Sequence, residues 1–282
     1  MDEDIKVVLM DLLIKLDEVC QRHGLRYYLA FGTCLGALRH KGFIPWDHDI
    51  DVLMPIEDAK KLVSYQSEFG DRYFVQCKDT DPTYGSISYK LRDSETACIW
   101  PKYKNCRFNQ GLNIDIYPFY PAPASRPGLL LNIFRSHLLK ILTIEDMPMG
   151  HQGASRFLTK AVMALYGTPE RRRKARERLQ AKLINVKNSR EILDYYGEDI
   201  TLFTAITYPK EWFGEPKKLL FEGRYFNGAT EPEKYMTRRY GDYMKLPPED
   251  KRVEMFDRPG AIIDAHRSYR EYYREMDGKA GS

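Results

Sequence analysis

Apolar residues recur with helical spacing at the start of the chain. From Ile5 to Val19 they return every three or four positions, and Gly24 follows where such a helix would end. Beyond it, short apolar runs bounded by turn residues are typical of strands. Such runs predict strands at 26–31, 50–54, 73–76, 86–91 and 112–117. Helical spacing at 34–40 and 57–69 lies between them, so the first 120 residues predict a core of mixed helices and strands.

After residue 120 the pattern changes. Apolar helical spacing covers 129–142 and 157–165, and the segment 171–178 is strongly basic. We therefore expect a core over 1–120, a mainly helical insertion over 121–200, and a C-terminal region over 201–282 that completes the core. The C-terminal region carries short strand patterns and a charged helix near 264–276. The predicted fold class is α+β, a mixed sheet flanked by helices.

Composition narrows the class of protein. The chain has 282 residues, 43% of them hydrophobic and 30% charged, which is typical of a soluble globular protein. A net charge of +4 is too mild to indicate nucleic-acid binding, and we expect none. The five cysteines are scattered without ligand spacing, which favours a reducing cytoplasm over zinc or disulfides. No apolar stretch reaches the length of a membrane span.

Three aspartates at alternate positions carry the strongest chemical signal. In an extended segment Asp47, Asp49 and Asp51 would project to one side, and their charges would repel one another. A divalent cation relieves that repulsion, and carboxylate oxygens suit Mg²⁺ or Mn²⁺, which in enzymes often bridge to phosphates. A solvated turn is the alternative for so short a motif.

The residues around this row decide between the two interpretations. The segment from Gly32 to Asp51, GTCLGALRHKGFIPWDHDID, resembles the signature of the LicD family, relatives of fukutin and fukutin-related protein. Residues 112–118, 220–223 and 240–252 resemble later segments of the same family. The stretch 253–256 departs from the family pattern, which leaves the donor or acceptor subtype open.

The resemblance implies a nucleotidyltransferase-like core and a phosphotransferase. Such enzymes move a phospho-alcohol, most often phosphocholine, from a CDP-activated donor to a hydroxyl of a surface glycan or glycolipid and release CMP. It implies that Asp47, Asp49, Asp51 and Asp115 form the catalytic and metal-binding set. Asp115 is also the candidate for accepting the proton of the acceptor hydroxyl.

Six further residues are predicted to bind the donor. Gly32 and Thr33 offer close backbone approach and a hydroxyl for phosphate, although an ordinary strand-to-helix turn would also use them. Arg39 and Lys41 follow that turn, with Arg39 favoured for its bidentate geometry.

Lys90 and Arg92 alternate on one predicted strand, where they could neutralise diphosphate or simply pair with nearby carboxylates. The segment 238–241 could bind donor or acceptor, or be solvated charge.

Two other functions remain open. A true nucleotidyltransferase would use the same carboxylates to attack the α-phosphate of a nucleoside triphosphate and release pyrophosphate. A non-catalytic protein of the same fold is disfavoured because it has no need of four clustered carboxylates. We expect a cytoplasmic protein. The basic run 171–178 follows two apolar helices, and two interpretations of this region are open. Either the apolar helices belong to the core and the basic helix is exposed, or the region contacts the inner face of the membrane.

Overall fold

The computed structural model describes residues 2–144, 154–194, 204–249, 252 and 259–280. Within these residues the helices are α1 Glu3–His23, α2 Phe31–Arg39, α3 Ile56–Ser64, α4 Arg126–Ile144, α5 Ala154–Tyr166, α6 Pro169–Ile184, α7 Pro232–Tyr240 and α8 Tyr269–Ala280. The strands are β1 Tyr28–Leu29, β2 Asp51–Pro55, β3 Tyr73–Gln76, β4 Tyr89–Asp93, β5 Ala97–Ile99, β6 Asn113–Ala122, β7 Glu191–Asp194, β8 Tyr208–Pro209, β9 Lys217–Phe221, β10 Arg224–Gly228 and β11 Ile262–Asp264.

A mixed sheet forms the centre of the described structure. Its strands run in the order β1-β2-β6-β4-β3, and β7 and β8 extend it along the second half of β6. The pair β2 and β6 is parallel, whereas β1 with β2, β4 with β6 and β3 with β4 are antiparallel. Helices pack against this sheet, so the predicted α+β class with a mixed sheet is confirmed.

Helix α1 shows how the apolar pattern builds the core. Its buried residues, spaced by three or four, pack against β4 and β6. Asp2 caps its start by accepting the amide of Asp4. Gly24 ends it in the left-handed conformation, at φ 62°, where a side chain would be strained. The helix predicted from the sequence is therefore present.

Several local boundaries differ from the predictions, and those of α2, β1 and β4 lie near the aspartate row. Helix α2 begins at Phe31, so Gly32 and Thr33 lie in its first turn and do not form a turn ahead of a helix at 34–40. The chain turns one residue earlier, because Phe31 itself adopts a positive φ of 44°. That conformation is uncommon for a bulky residue. Strand β1 is correspondingly short, and β4 covers Tyr89–Asp93, later than the predicted 86–91.

The middle of the chain is helical over most of its described length. Helices α4 and α6 pack along each other, and α5 contacts both. Strand β7 then returns to the sheet beside β6. The proposed divisions at 120 and 200 stay predictions. Among the described residues, no helix combines the length and the apolar character that crossing a membrane requires.

The last part of the chain closes over the core at two places. The β9–β10 hairpin contacts α2 and β1. Strand β11 pairs with β5, and α8 packs its tyrosines onto a small second core with Ala97 and Ile99. The charged helix predicted near 264–276 corresponds to α8, which begins later, at Tyr269, while Asp264 is the last residue of strand β11.

Candidate active site

Three adjacent strands bring opposite charges into one row. Asp51 at the start of β2 is the register partner of Asp115 on β6, and Asp115 is the partner of Lys90 on β4. Cross-strand partners lie on the same face of a sheet, within side-chain reach. The Lys90 ammonium forms an ion pair with Asp115 Oδ1, and Asn113 donates to Asp115 Oδ2 at 3.0 Å. Sheet register therefore unites residues from three separate parts of the sequence.

Asp47 and Asp49 join this row from the segment before β2. Their carboxyl groups share a hydrogen bond, and both interact electrostatically with Asp51. Gly32 makes the approach possible, because a β-carbon at that position would overlap the carboxylate of Asp47. The structure thus brings together all four carboxylates that the sequence singled out.

Burial raises the pKa values of Asp47, Asp49 and Asp51. Burial raises the pKa of Asp49 to about 8, and the neighbouring charges of Asp47 and Asp115 add to the shift. The pKa of Asp51 lies well above its ordinary value, mainly because the side chain is buried and then because Asp49, Asp115 and Asp47 surround it; Lys90 opposes the change. Burial also raises the pKa of Asp47. The cluster therefore holds protons near neutral pH that a divalent cation would replace.

The donor set of this cluster fits a hard divalent cation. Oδ1 of Asp51 is buried and accepts no hydrogen bond, which is costly for a carboxylate oxygen. In the described part of the chain, no three His, Cys, Asp or Glu side chains already surround one point as ligands. Lys90 on Asp115 and the Asp47–Asp49 hydrogen bond account for this, because both engage oxygens that a cation would use. Side chains would have to turn for these residues to bind it.

Thr33 has a defined structural contact. Its hydroxyl accepts a hydrogen bond of 2.8 Å from the amide of Asp51, and its side chain is buried. This bond ties the first turn of α2 to the start of β2, which fixes Asp51 relative to Gly32. Phosphate binding by Thr33 stays a prediction, with the hydroxyl proton as its remaining donor.

Arg39 and Lys41 both contact the protein itself. Arg39 donates to the carbonyl of Tyr243 at 2.9 Å and to Nδ1 of His40 at 3.4 Å. Lys41 is exposed and donates to the carbonyl of Leu38 at 3.1 Å. The backbone carbonyl of Lys41 accepts the amide of Glu222 at 2.9 Å. These contacts join the end of α2 to the C-terminal part of the chain, and donor binding by either side chain stays a prediction.

Arg92 is enclosed by protein partners. It is buried and donates to Gln76 Oε1, to the Gly111 carbonyl at 2.6 Å and to Asn113 Oδ1 at 3.1 Å. Asn113 in turn donates to Asp115. In this geometry Arg92 orients Asn113 and through it Asp115, whereas Lys90 is the cation that reaches the carboxylates directly. The alternative of pairing with Asp93 does not occur, since Asp93 accepts from Arg72.

Sequence reasoning missed Phe31, which lies on the aromatic side of the site. Phe31 stands next to Gly32, and its ring contacts Tyr117 edge to face at 5.2 Å. The Arg239 guanidinium lies over the Phe31 ring at 4.1 Å and donates to the Tyr208 hydroxyl at 3.2 Å. Nε of Arg239 is buried and has no hydrogen-bond partner. The run Arg238 to Gly241 signalled charge, but its position beside Phe31 depends on the tertiary fold.

Asn113 was also missed, although a signal was present. It precedes Asp115 by two positions on the same strand, and alternate strand residues share a face. The last residues of the C-terminal signature, Asp250 and Lys251, and the departing stretch 253–256 lie outside the described residues. Arg252 lies over the Trp46 ring at 5.0 Å, and this tryptophan is half-buried.

Fold and site together define a nucleotidyltransferase-type domain whose carboxylates meet at one end of a parallel strand pair. Residues 24–127 match the family described as LicD/FKTN/FKRP, nucleotidyltransferase domain. The resemblance to the LicD family found in the sequence is thereby confirmed over these residues.

Individual relatives extend the similarity beyond that domain. The chain is 27% identical over 257 residues to lipopolysaccharide cholinephosphotransferase LicD of Haemophilus influenzae, covering 87% of this chain and 92% of that protein. It is also similar to ribitol 5-phosphate transferase FKRP, 32% identical to the Mus musculus protein and 31% to the Homo sapiens protein over 108 residues. That match covers 36% of this chain and 18% of each FKRP.

Proposed function

We propose that this protein transfers a phospho-alcohol from a CDP-activated donor to a hydroxyl of a cell-surface glycan or glycolipid, with release of CMP. The phospho-alcohol we propose is phosphocholine. The observation that carries the proposal is the group of four carboxylates around the buried Asp51, at the paired ends of β2 and β6. Similarity over almost the whole length of a cholinephosphotransferase supports phosphocholine as the group transferred.

Asp49, Asp51 and Asp115 would hold Mg²⁺ or Mn²⁺, with Asp47 as a fourth or supporting carboxylate on the Asp49 side. The bound cation supplies neutralisation of the diphosphate charge and orientation for in-line displacement. The acceptor hydroxyl oxygen bonds to the β-phosphorus, and the bond from that phosphorus to the CMP oxygen breaks with its electron pair. The hydroxyl proton passes to a carboxylate, for which Asp115 is our candidate.

The surrounding residues divide between donor binding and positioning. Lys90, Gly32 and the first-turn amides of α2 lie beside the carboxylates and are the proposed contacts of the donor phosphates. Arg92 and Thr33 hold Asp115 and Asp51 in place. Arg39 and Lys41 would reach the donor only after leaving their carbonyl partners.

Identification of the reaction products tests this proposal directly. Incubation with Mg²⁺, CDP-choline and a glycan acceptor should release CMP and label the acceptor with phosphocholine. Pyrophosphate formed from CTP or ATP, with no CMP from any CDP-alcohol, would instead establish the nucleotidyltransferase alternative. Absence of both products from the full chain with any of these donors would favour the non-catalytic alternative.

We further propose that the reaction takes place in the cytoplasm, where CDP-alcohols are made, before the glycan reaches the cell surface. A glycolipid acceptor would place the enzyme at the inner face of the membrane. Fractionation of cells into cytosol and membrane tests this part separately from the chemistry, because it needs no knowledge of the donor.

A further inference from the structure

Helices α4 and α5 expose large apolar side chains to solvent. Phe134 on α4 is 64% exposed, and Phe157 on α5 is 76% exposed. The same helices also expose Leu130, Leu131 and Leu165. On α4 the exposed residues lie within four positions of one another, so they share one helix face. Monomeric proteins seldom expose several large apolar side chains together without a partner for them.

Positive charges predominate on α4, α5 and the neighbouring α6. The sequences of α4 and α5 contain no Asp or Glu, whereas Arg126, Arg135, Lys140 and Lys160 lie on them. Helix α6, which packs along α4, carries seven Lys or Arg residues and only Glu170 and Glu177. Arg176 of α6 donates to the carbonyl of Leu142 at 3.1 Å, which fixes the basic helix to α4. The three helices together therefore carry a clear excess of positive charge.

We propose that the α4–α5 apolar face, formed by Leu130, Leu131, Phe134, Phe157 and Leu165, binds the surface of an anionic lipid bilayer. Phenyl and leucyl groups enter the boundary between headgroups and acyl chains, and the surrounding Lys and Arg attract anionic headgroups. The helices lie on the membrane, since neither has the character of a membrane span.

Charge decides between a bilayer and a second copy of the chain. In a two-fold dimer the same patch faces itself, so the cations of α4, α5 and α6 would meet their own copies. An anionic bilayer offers both an apolar interior and opposite charge. This proposal rests on the described helices alone and does not depend on the proposed reaction.

Sedimentation of the full chain with lipid vesicles tests the proposal. We expect binding to vesicles of phosphatidylcholine mixed with phosphatidylglycerol, weaker binding to phosphatidylcholine alone, and loss of binding as salt rises. The double substitution Phe134→Ser and Phe157→Ser should weaken partitioning on the order of tenfold, because two apolar groups no longer enter the lipid. Tyr225→Ser is the matched control, since Tyr225 is as exposed as Phe134 but lies on the β9–β10 hairpin.

Several results would overturn the proposal. The protein could bind neither kind of vesicle, it could bind neutral and anionic vesicles equally, or the double variant could bind as well as wild type. Light scattering after size exclusion tests whether a second copy of the chain covers this face instead. If wild type is a dimer and the double variant is a monomer, the face binds a second copy. Both phenylalanines are exposed, so thermal melting should confirm that the variant is folded.

Discussion

Asp51 combines burial, a raised pKa and a carboxylate oxygen without a hydrogen-bond partner. An Asp51→Asn substitution keeps the shape of the side chain but removes the charge that would bind the cation. We expect turnover to fall on the order of a thousandfold, because charge stabilisation by a metal ion supplies several kcal/mol. The free energy of unfolding should stay unchanged or rise by about 1 kcal/mol as repulsion with Asp49 and Asp115 is relieved.

CMP release and urea denaturation measure the two effects separately. Asp11→Asn is the control, since Asp11 is exposed on α1 and far in sequence from the site. Preserved turnover in Asp51→Asn would contradict the metal assignment, and a large loss of stability would indicate a structural role instead.

Asp49 makes the stability of the metal-free protein depend on pH. Its pKa rises from 3.8 to about 8 on folding, so the folded chain holds a proton that the unfolded chain releases. A group of this kind stabilises the fold at low pH, and its contribution is lost as pH rises from about 4 to about 8. With chelator present, wild type should lose stability over this window relative to Asp49→Asn, which lacks the ionisation.

Thermal melting across that pH range gives the comparison. Saturating Mg²⁺ should reduce the difference between the two proteins above neutral pH, because the cation replaces the proton. Parallel curves for wild type and Asp49→Asn without metal would show that Asp49 ionises normally.

At the scale of secondary-structure elements, one hydroxyl joins α2 to β2. Thr33→Val has the same shape but leaves the amide of Asp51 without its acceptor, in a buried position. We expect a loss of about 1–3 kcal/mol in the free energy of unfolding. Turnover should fall as well, since Asp51 is no longer fixed. Thr33→Ser retains the acceptor, so its free energy of unfolding should fall clearly less than that of Thr33→Val. Equal losses of stability in the two variants would mean that packing of the methyl group matters more than the hydrogen bond.

The elements that the sequence predicts best are those with strong local signals. Helix α1 has an apolar stripe, an Asp cap and a glycine at its end, so its span follows from residues close in sequence. Strand β3 also agrees with its predicted span. The carboxylate row was visible because the aspartates alternate beside a long family signature.

Other features depend on contacts distant in sequence. The positive φ of Phe31 moves the start of α2, and no local pattern marks it, because the ring is held by Tyr117 and Arg239 from other elements. Arg92 was predicted to meet phosphate because it alternates with Lys90. Its burial against Gly111 and Asn113 depends on how β4 and β6 pair, which alternation alone does not specify.

At the scale of the whole molecule, ligand binding should appear as added stability. A ligand at a hundredfold excess over its dissociation constant stabilises the folded state by about 2.7 kcal/mol. For a chain of this size, that shift corresponds to a rise of roughly 5 °C or more in the melting temperature. We expect it for CDP-choline with Mg²⁺, and smaller rises for CDP-ethanolamine, CDP-ribitol and CDP-glycerol.

The same screen on Asp51→Asn with Mg²⁺, and on wild type with chelator, provides the controls. A rise that persists in both would place the nucleotide away from the carboxylates. A larger rise in melting temperature with CDP-ribitol than with CDP-choline would make CDP-ribitol the proposed donor in place of CDP-choline.

The pairing of Asp51 with Asp115 also makes the proposed activity depend on correct folding of the sheet. Side chains alternate across a sheet, so a slip of one residue between β2 and β6 would send Asp115 to the opposite face, away from Asp51. A misaligned molecule would then be inert instead of partly active or altered in specificity. The same strands build the core, so a molecule with a disordered centre would also lack the proposed activity. The proposed site therefore forms only in molecules whose strands have paired in the correct register.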